Sequence, residues 1–193
     1  SAPHFGLYNN TPNVDIAYNK FVTSKGTPFI KKENHGLNGD VYIHHNTVIG
    51  SSAFLKVVTK GGTLCPQMYD NLILLASGGV LVQDDSTTLP TKYTSPILDE
   101  TTFNNNVYIA DTFFGGTAQD TLSGYKCNLE TVDCLELDAV PRFMSTEMGN
   151  ADEYRIRANK LEWIYTSSVG DYPNYVGAVE PLFAPIGTLL LMK

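Results

Sequence analysis

Short apolar runs in which every second residue is hydrophobic dominate the chain, and turn-forming residues interrupt them at close intervals. The runs at 41–49, 54–58 and 107–110 are examples, and a period of two is the pattern of a β-strand with one buried face. Ten prolines and sixteen glycines in 193 residues leave little room for long helices. The sequence therefore predicts an all-β protein with little helix.

The number and spacing of these runs also bear on the architecture. Several short strands separated by turns indicate an antiparallel β-sandwich or barrel, of which a jelly roll is one form. The turn Ser77-Gly78-Gly79 separates the runs 72–76 and 80–82 and predicts a hairpin, because glycine tolerates positive φ. We expect a single β-rich domain spanning 1–193, large enough to fold without disulfides or a metal.

One internal similarity connects two parts of the chain. The segment LNGDVYIHHNTVIG at 37–50 resembles FNNNVYIADTFFGG at 103–116, with the tripeptide VYI at a fixed offset. The similarity fades on both sides, so it does not establish a repeat architecture. In this alignment His44 corresponds to Ala110 and His45 to Asp111. If the two segments are structurally equivalent, the fold does not require histidine at either position.

The charge of the chain argues against two classes of partner. The formal net charge is −7, and the arginines are Arg142, Arg155 and Arg157. Nucleic-acid binding draws most of its strength from lysine and arginine side chains that neutralise phosphates. We therefore expect neither a nucleic-acid partner nor a membrane partner.

The adjacent histidines His44 and His45 are the most suggestive chemical feature of the sequence. Successive side chains of a strand point to opposite faces, so His45 should share a face with Val41 and Ile43, and His44 should lie beside Tyr42. Zinc needs three or four donors around it, which two diverging imidazoles do not provide. The pattern predicts two ordinary strand histidines, with no metal site and no cofactor.

The cysteines are Cys65, Cys127 and Cys134, an odd number that argues against a disulfide scaffold. The sequence leaves open whether Cys127 and Cys134 form a bridge. Cys65 with a histidine is the candidate pair for a cysteine hydrolase, because a thiol nucleophile needs a base to activate it. No nucleophile signature surrounds Cys65, and the G-x-S-x-G and glycine-rich phosphate-binding motifs are absent from the sequence. We expect a protein that is not an enzyme.

Tyrosines supply the candidate binding residues. The stretch GDYPNYVG at 170–177 contains Tyr172, Asn174 and Tyr175. Tyrosine combines an apolar ring with a polar tip, which suits loops that bind sugars or protein surfaces. The alternative is a turn whose tyrosines cover the core.

Three functions remain open on these grounds. The first is a non-catalytic structural or attachment protein of a viral or phage particle, located in the virion and acting through contacts in a homo-oligomer or with other particle proteins. The second is a carbohydrate-binding module that uses Tyr172, Asn174 and Tyr175 to hold a glycan. The third is the cysteine hydrolase with Cys65. We favour the first, because the acidic, arginine-poor sequence, rich in asparagine and threonine, contains no local catalytic motif.

Overall fold

The computed structural model describes residues 5–7, 13–24, 26–32, 41–57, 66–84, 102–116, 134–158 and 175–183. Within these ranges the chain is all-β, as the sequence predicts, and contains no helix. No helix long and apolar enough to cross a membrane is found in this part of the chain. The strands are β1 (Phe5–Leu7), β2 (Val14–Ala17), β3 (Lys20–Val22), β4 (Ile30–Lys32), β5 (Val41–His44), β6 (Thr47–Ile49), β7 (Ala53–Val57), β8 (Pro66–Tyr69), β9 (Leu72–Leu74), β10 (Val80–Asp84), β11 (Thr102–Asn104), β12 (Val107–Ile109), β13 (Thr112–Gly116), β14 (Leu135–Glu136), β15 (Arg157–Ala158) and β16 (Leu182–Phe183).

Most of these strands belong to three sheets, and the strands within each sheet are parallel. Sheet 1 has the order β1-β4-β7-β10-β13, sheet 2 the order β2-β5-β8-β11, and sheet 3 the order β3-β6-β9-β12-β14. Within sheet 2, Val14 pairs with Val41, and Val41 pairs with Pro66. The chain passes through sheets 2, 3 and 1 in turn and then repeats, so each circuit is one coil. This connectivity is that of a parallel β-helix, a solenoid of stacked coils.

The prediction of an antiparallel β-sandwich or barrel, including its jelly-roll form, is therefore wrong. The strand pairings within the described sheets are parallel. A period of two reports that a strand has two different faces, and it carries no information about the direction of the neighbouring strand. The short strands arise because the chain turns a corner after three to five residues instead of reversing.

The predicted hairpin at 77–79 is one of these corners. The strands on its two sides belong to different sheets, since β9 lies in sheet 3 and β10 in sheet 1. Gly78 has a φ of 78°, and a Cβ on Gly79 would lie 2.5 Å from the Leu75 Cβ. Glycine is thus required here for a sharp corner.

The internal similarity noted in the sequence does not mark equivalent positions. The first VYI lies in β5 of sheet 2, whereas the second forms β12 of sheet 3. Equivalent positions of successive coils are instead occupied by asparagine. Asn46 follows Asn19 after 27 residues, Asn71 follows Asn46 after 25, and Asn106 follows Asn71 after 35.

These asparagines form a ladder inside the corner between sheets 2 and 3. The Oδ1 atom of Asn46 accepts hydrogen bonds from the backbone N–H and the Nδ2 of Asn19, at 3.1 and 3.0 Å. Asn71 accepts from Asn46 in the same way, and Asn106 accepts from Asn71. Cys134 stands at the next step, with its Sγ 3.8 Å from the Nδ2 of Asn106. The ladder satisfies buried backbone groups that the corner would otherwise leave without partners.

Sheet 3 contributes residues to two hydrophobic clusters, one on each of its faces. The first fills the interior of the coils and includes Phe29, Phe54, Val48 and Ile73. The second contains Leu72, Leu74 and Val107 from sheet 3, together with Ile156 and Val176 from later in the chain. Because neighbouring strand residues point to opposite faces, the second cluster covers the outer face of sheet 3. This explains why LILL at 72–75 reads as a continuous apolar run.

Candidate functional site

Four titratable side chains form a chain of contacts at the corner between sheets 2 and 3, and we call Asp15, His44, His45 and Asp70 the histidine cluster. The Nε2 atom of His44 lies 2.9 Å from the Oδ1 of Asp15. The Nδ1 atoms of His44 and His45 are 2.9 Å apart. The Nε2 atom of His45 lies 3.9 Å from the Oδ2 of Asp70. Both histidines and Asp70 are completely buried.

The expectation that the two imidazoles diverge is wrong, and the reason is local. Strand β5 ends at His44, and His45 has a φ of 50°, which is the left-handed conformation. The corner changes the direction of the chain between the two residues, so the alternation of faces does not extend to His45. The rings meet at an interplanar angle of 89° with their Nδ1 atoms in hydrogen-bond contact.

The carboxylate of Asp15 determines how the protons are arranged. A contact of 2.9 Å to the Oδ1 of Asp15 places a proton on the Nε2 of His44. Neutral His44 then accepts at Nδ1, and His45 donates its Nδ1 proton. Burial lowers the pKa of His44 below its usual 6.5, and the charge and hydrogen bond of Asp15 raise it by less. The neutral form of His44 is thus favoured, and the cluster holds the Asp15 carboxylate in one orientation.

Tyrosine rings enclose the two imidazoles. Tyr69 stacks on His44 with ring centroids 4.8 Å apart and nearly parallel planes. Tyr18 stacks on His45 at 5.1 Å and meets the edge of His44 at 5.7 Å. Tyr175 meets His45 edge-on at 5.3 Å. The imidazoles are therefore packed as aromatic groups, while their Nδ1 atoms stay in hydrogen-bond contact with each other.

A segment from late in the chain covers this corner, and we call residues 175–178 the strap. The backbone N–H of Gly177 donates to the carbonyl of Asp70 at 2.9 Å. The N–H of Ala178 donates to the Oγ1 of Thr47, also at 2.9 Å. Gly177 has a φ of 95°, and an added Cβ would lie 3.0 Å from the Thr47 Oγ1. The strap therefore fits the corner closely.

The outer face of sheet 2 continues from the histidine cluster as a row of polar side chains. Asp15 pairs in register with Tyr42, and Tyr42 pairs with Gln67. About half of the Asp15 side chain (53%) is exposed. Tyr42 and Gln67 are half-buried. Tyr18, directly after β2, is 42% exposed.

The residues that the sequence nominated have different outcomes. Tyr175 lies in the strap, half-buried against His45, while Tyr172 and Asn174 lie outside the described residues, so this binding site stays a prediction. Cys65 and Cys127 also lie outside them, and the hydrolase and the bridge are untested. Cys134 lies at the end of the asparagine ladder. Within the described ranges, no three His, Cys, Asp or Glu side chains converge as a metal site.

Sequence reasoning missed the residues that build the corner. The signal was present as an asparagine directly before the strands β3, β6, β9 and β12 of sheet 3, each following a left-handed residue, in the pairs Tyr18-Asn19, His45-Asn46, Asp70-Asn71 and Asn105-Asn106. Asn105 has a φ of 57°, close to the other three. The unequal spacing of these pairs hides the repeat.

Comparison with protein-family models, with curated proteins and with solved structures found no match for this chain.

Proposed function

We propose that this chain is a non-catalytic structural or attachment component of a viral or phage particle, which acts through contacts with other subunits. Its solenoid architecture supports this role. Parallel strands stacked coil on coil and an internal asparagine ladder give a rigid body whose outer faces repeat along one axis. A rigid surface loses little conformational entropy when it forms a contact.

The observation that carries the proposal is the exposure of large apolar side chains in the segment that begins with β14. Met148 is 86% exposed, Val140 is 62% exposed, and Met144 and Leu135 are exposed as well. The four residues share one short stretch of sequence, exposed apolar patches mark interaction sites, and methionine is enriched at protein interfaces. We infer that the segment 135–148 contacts a second copy of the chain or another particle protein in the virion.

The remaining partner classes follow from composition. A net charge of −7 disfavours nucleic acid and anionic membrane surfaces as partners. The proposed contact needs no cofactor, since it relies on apolar burial and on the shape of the solenoid.

The test is the assembly state of the purified chain and of a variant in this segment. Sedimentation velocity over a range of concentrations, with electron microscopy of the same samples, should show an oligomer or a larger assembly. We expect Met148→Gln to raise the dissociation constant of the assembly about tenfold, because a buried methionine contributes roughly 1.5–3 kcal/mol. The side chain is largely exposed in the single chain, so the variant should fold normally.

A matched control is Val22→Gln, which removes an exposed apolar side chain from β3 at the other end of sheet 3. This control should assemble like the unaltered chain. A chain that stays monomeric at all concentrations and does not associate with particles would contradict the proposed function.

A further inference from the structure

We propose that the outer face of sheet 2 beside Tyr18 binds a neutral glycan, with Tyr18 as a stacking platform and Asp15, Tyr42 and Gln67 as a row of hydrogen-bonding groups. We call these four residues the glycan strip. The inference rests on the proposed attachment role and names the chemical class of the receptor.

The conformation of Tyr18 is the first observation behind this proposal. The four equivalent corner residues between sheets 2 and 3 all have positive φ. Asp70, Asn105 and His45 are of the types that are enriched in this conformation, whereas Tyr18 is not. A bulky residue held in a strained conformation indicates a role beyond the turn itself.

The packing of Tyr18 shows what that role requires. Its ring stacks on the buried His45 with centroids 5.1 Å apart and an interplanar angle of 28°. The residue is nevertheless 42% exposed. An aromatic ring supported on one side and exposed to solvent is a platform for the apolar C–H face of a sugar ring, and its hydroxyl can bind the polar rim.

Asp15 provides an oriented acceptor close to this platform. His44 links the two residues, because its Nε2 lies 2.9 Å from the Asp15 Oδ1 and its ring meets the Tyr18 ring at 5.7 Å. His44 is completely buried, while 53% of the Asp15 side chain faces solvent. A carboxylate that is fixed before binding can accept from sugar hydroxyls with little loss of entropy.

The row that begins at Asp15 extends this site along the solenoid axis. Tyr42 and then Gln67 follow in register on neighbouring coils. Neighbouring strands lie about 4.8 Å apart, so the row spans roughly 10 Å. A row of acceptors and donors beside an aromatic platform matches the alternation of hydroxyl groups and C–H faces in an oligosaccharide.

Charge restricts the class of glycan. Asp15 is the acidic member of the strip, and the chain has a net charge of −7. Sialylated, sulphated and uronic-acid glycans would be repelled. The strip therefore fits neutral sugars.

The experiment is binding of the full chain to a panel of neutral oligosaccharides, namely fragments of glucan, mannan, galactan and chitin, followed by calorimetry on each hit. The key variant is Tyr18→Asn, because asparagine tolerates the corner conformation and removes the platform. We expect at least a tenfold loss of affinity with Tyr18→Asn and about a fivefold loss with Asp15→Asn. The control Val22→Ala changes an exposed residue of the same coil on sheet 3 and should bind as the unaltered chain does.

Three results would overturn the inference. They are no binding to any neutral oligosaccharide, binding that Tyr18→Asn leaves unchanged in a folded protein, and a preference for anionic glycans or for a peptide. Circular dichroism and thermal melting of each variant show that it is folded.

Failure of this inference is distinguishable from failure of the proposed function. Sedimentation of Tyr18→Asn should show the same assembly as the unaltered chain. A chain that assembles but binds no sugar overturns the glycan strip alone. A monomer that binds neutral glycans through Tyr18 overturns the particle role alone.

Discussion

At the scale of single residues, the corner between sheets 2 and 3 determines what the chain can present at its surface. Left-handed backbone costs a residue with a side chain roughly 1–2 kcal/mol. Tyr18 bears this cost and stacks on His45, whereas Asp70 fits the same position with less strain. Stacking and burial of the rings offset the strain, and the histidine cluster is the result.

Stability should depend on pH through His44. Burial lowers the pKa of this residue below 6.5 in the fold, with partial opposition from Asp15, so below about pH 6.5 the unfolded chain binds more protons than the folded one. The free energy of unfolding should therefore be highest above this pH and should fall as the pH is lowered, by up to about 1.4 kcal/mol per pH unit. Urea unfolding between about pH 7.5 and 5.5 measures the slope. His44→Gln should flatten it, and an unchanged slope would show that another group titrates.

The asparagine ladder allows a second test at this scale. In Asn71→Ala, the buried backbone N–H of Asn46 loses its acceptor, and the carbonyls of Ile43 and Tyr69 lose a donor. Each unsatisfied buried group costs about 1–3 kcal/mol, so we expect a loss of about 3 kcal/mol or more in urea unfolding. The control Asn19→Ala is at the end of the ladder and should lose about 1 kcal/mol. Equal losses at both positions would contradict a cooperative ladder.

At the scale of elements, the sequence predicted the positions of strands better than it predicted which strands pair and in which direction. The short apolar runs 54–58 and 107–110 indicated β7 and β12 nearly at their observed positions. The run 41–49 contains two strands, because the chain turns at His45 and Asn46. Alternation shows only which residues of a strand share a face. The choice of partner strand depends on contacts between residues some 25 positions apart, and a local pattern does not encode them.

The strap is the element whose fit can be tested most directly. A Cβ at Gly177 would lie 3.0 Å from the Thr47 Oγ1. The positive φ of Gly177 would add backbone strain to this close contact. We expect Gly177→Ala to displace the strap and to speed hydrogen exchange of the 177 and 178 amides about tenfold, while the ladder amides stay protected.

Gly149→Ala is the matched control for the strap. Gly149 also has a positive φ, of 84°, but an added Cβ there meets nothing within 4 Å. This variant carries the backbone strain without the contact to Thr47. If both variants speed exchange in the strap equally, the close fit at Thr47 is not what holds it.

At the scale of the whole molecule, sheet 3 joins two hydrophobic clusters into one structure. Ile73 belongs to the interior cluster and its neighbour Leu72 to the outer one, and both are completely buried. The outer cluster depends on Ile156 and Val176, which come from distant parts of the chain. The solenoid and the later segments should therefore unfold together, although isolated solenoid coils are expected to depend mainly on their neighbours.

Two substitutions in β9 test this coupling. If the outer cluster is a true core, Leu72→Ala should cost about as much as Ile73→Ala, in the range of 2–5 kcal/mol for a large-to-small change in a packed interior. The control Val22→Ala, at an exposed position of β3, should cost less than about 1 kcal/mol. Urea unfolding followed by tyrosine fluorescence and by far-ultraviolet circular dichroism should give coincident transitions, because one cooperative unit has no populated intermediate. Two results would contradict this coupling, namely separate transitions and a loss of unfolding free energy for Leu72→Ala as small as that of the control. Either would show that the later segments contact the solenoid without stabilising it.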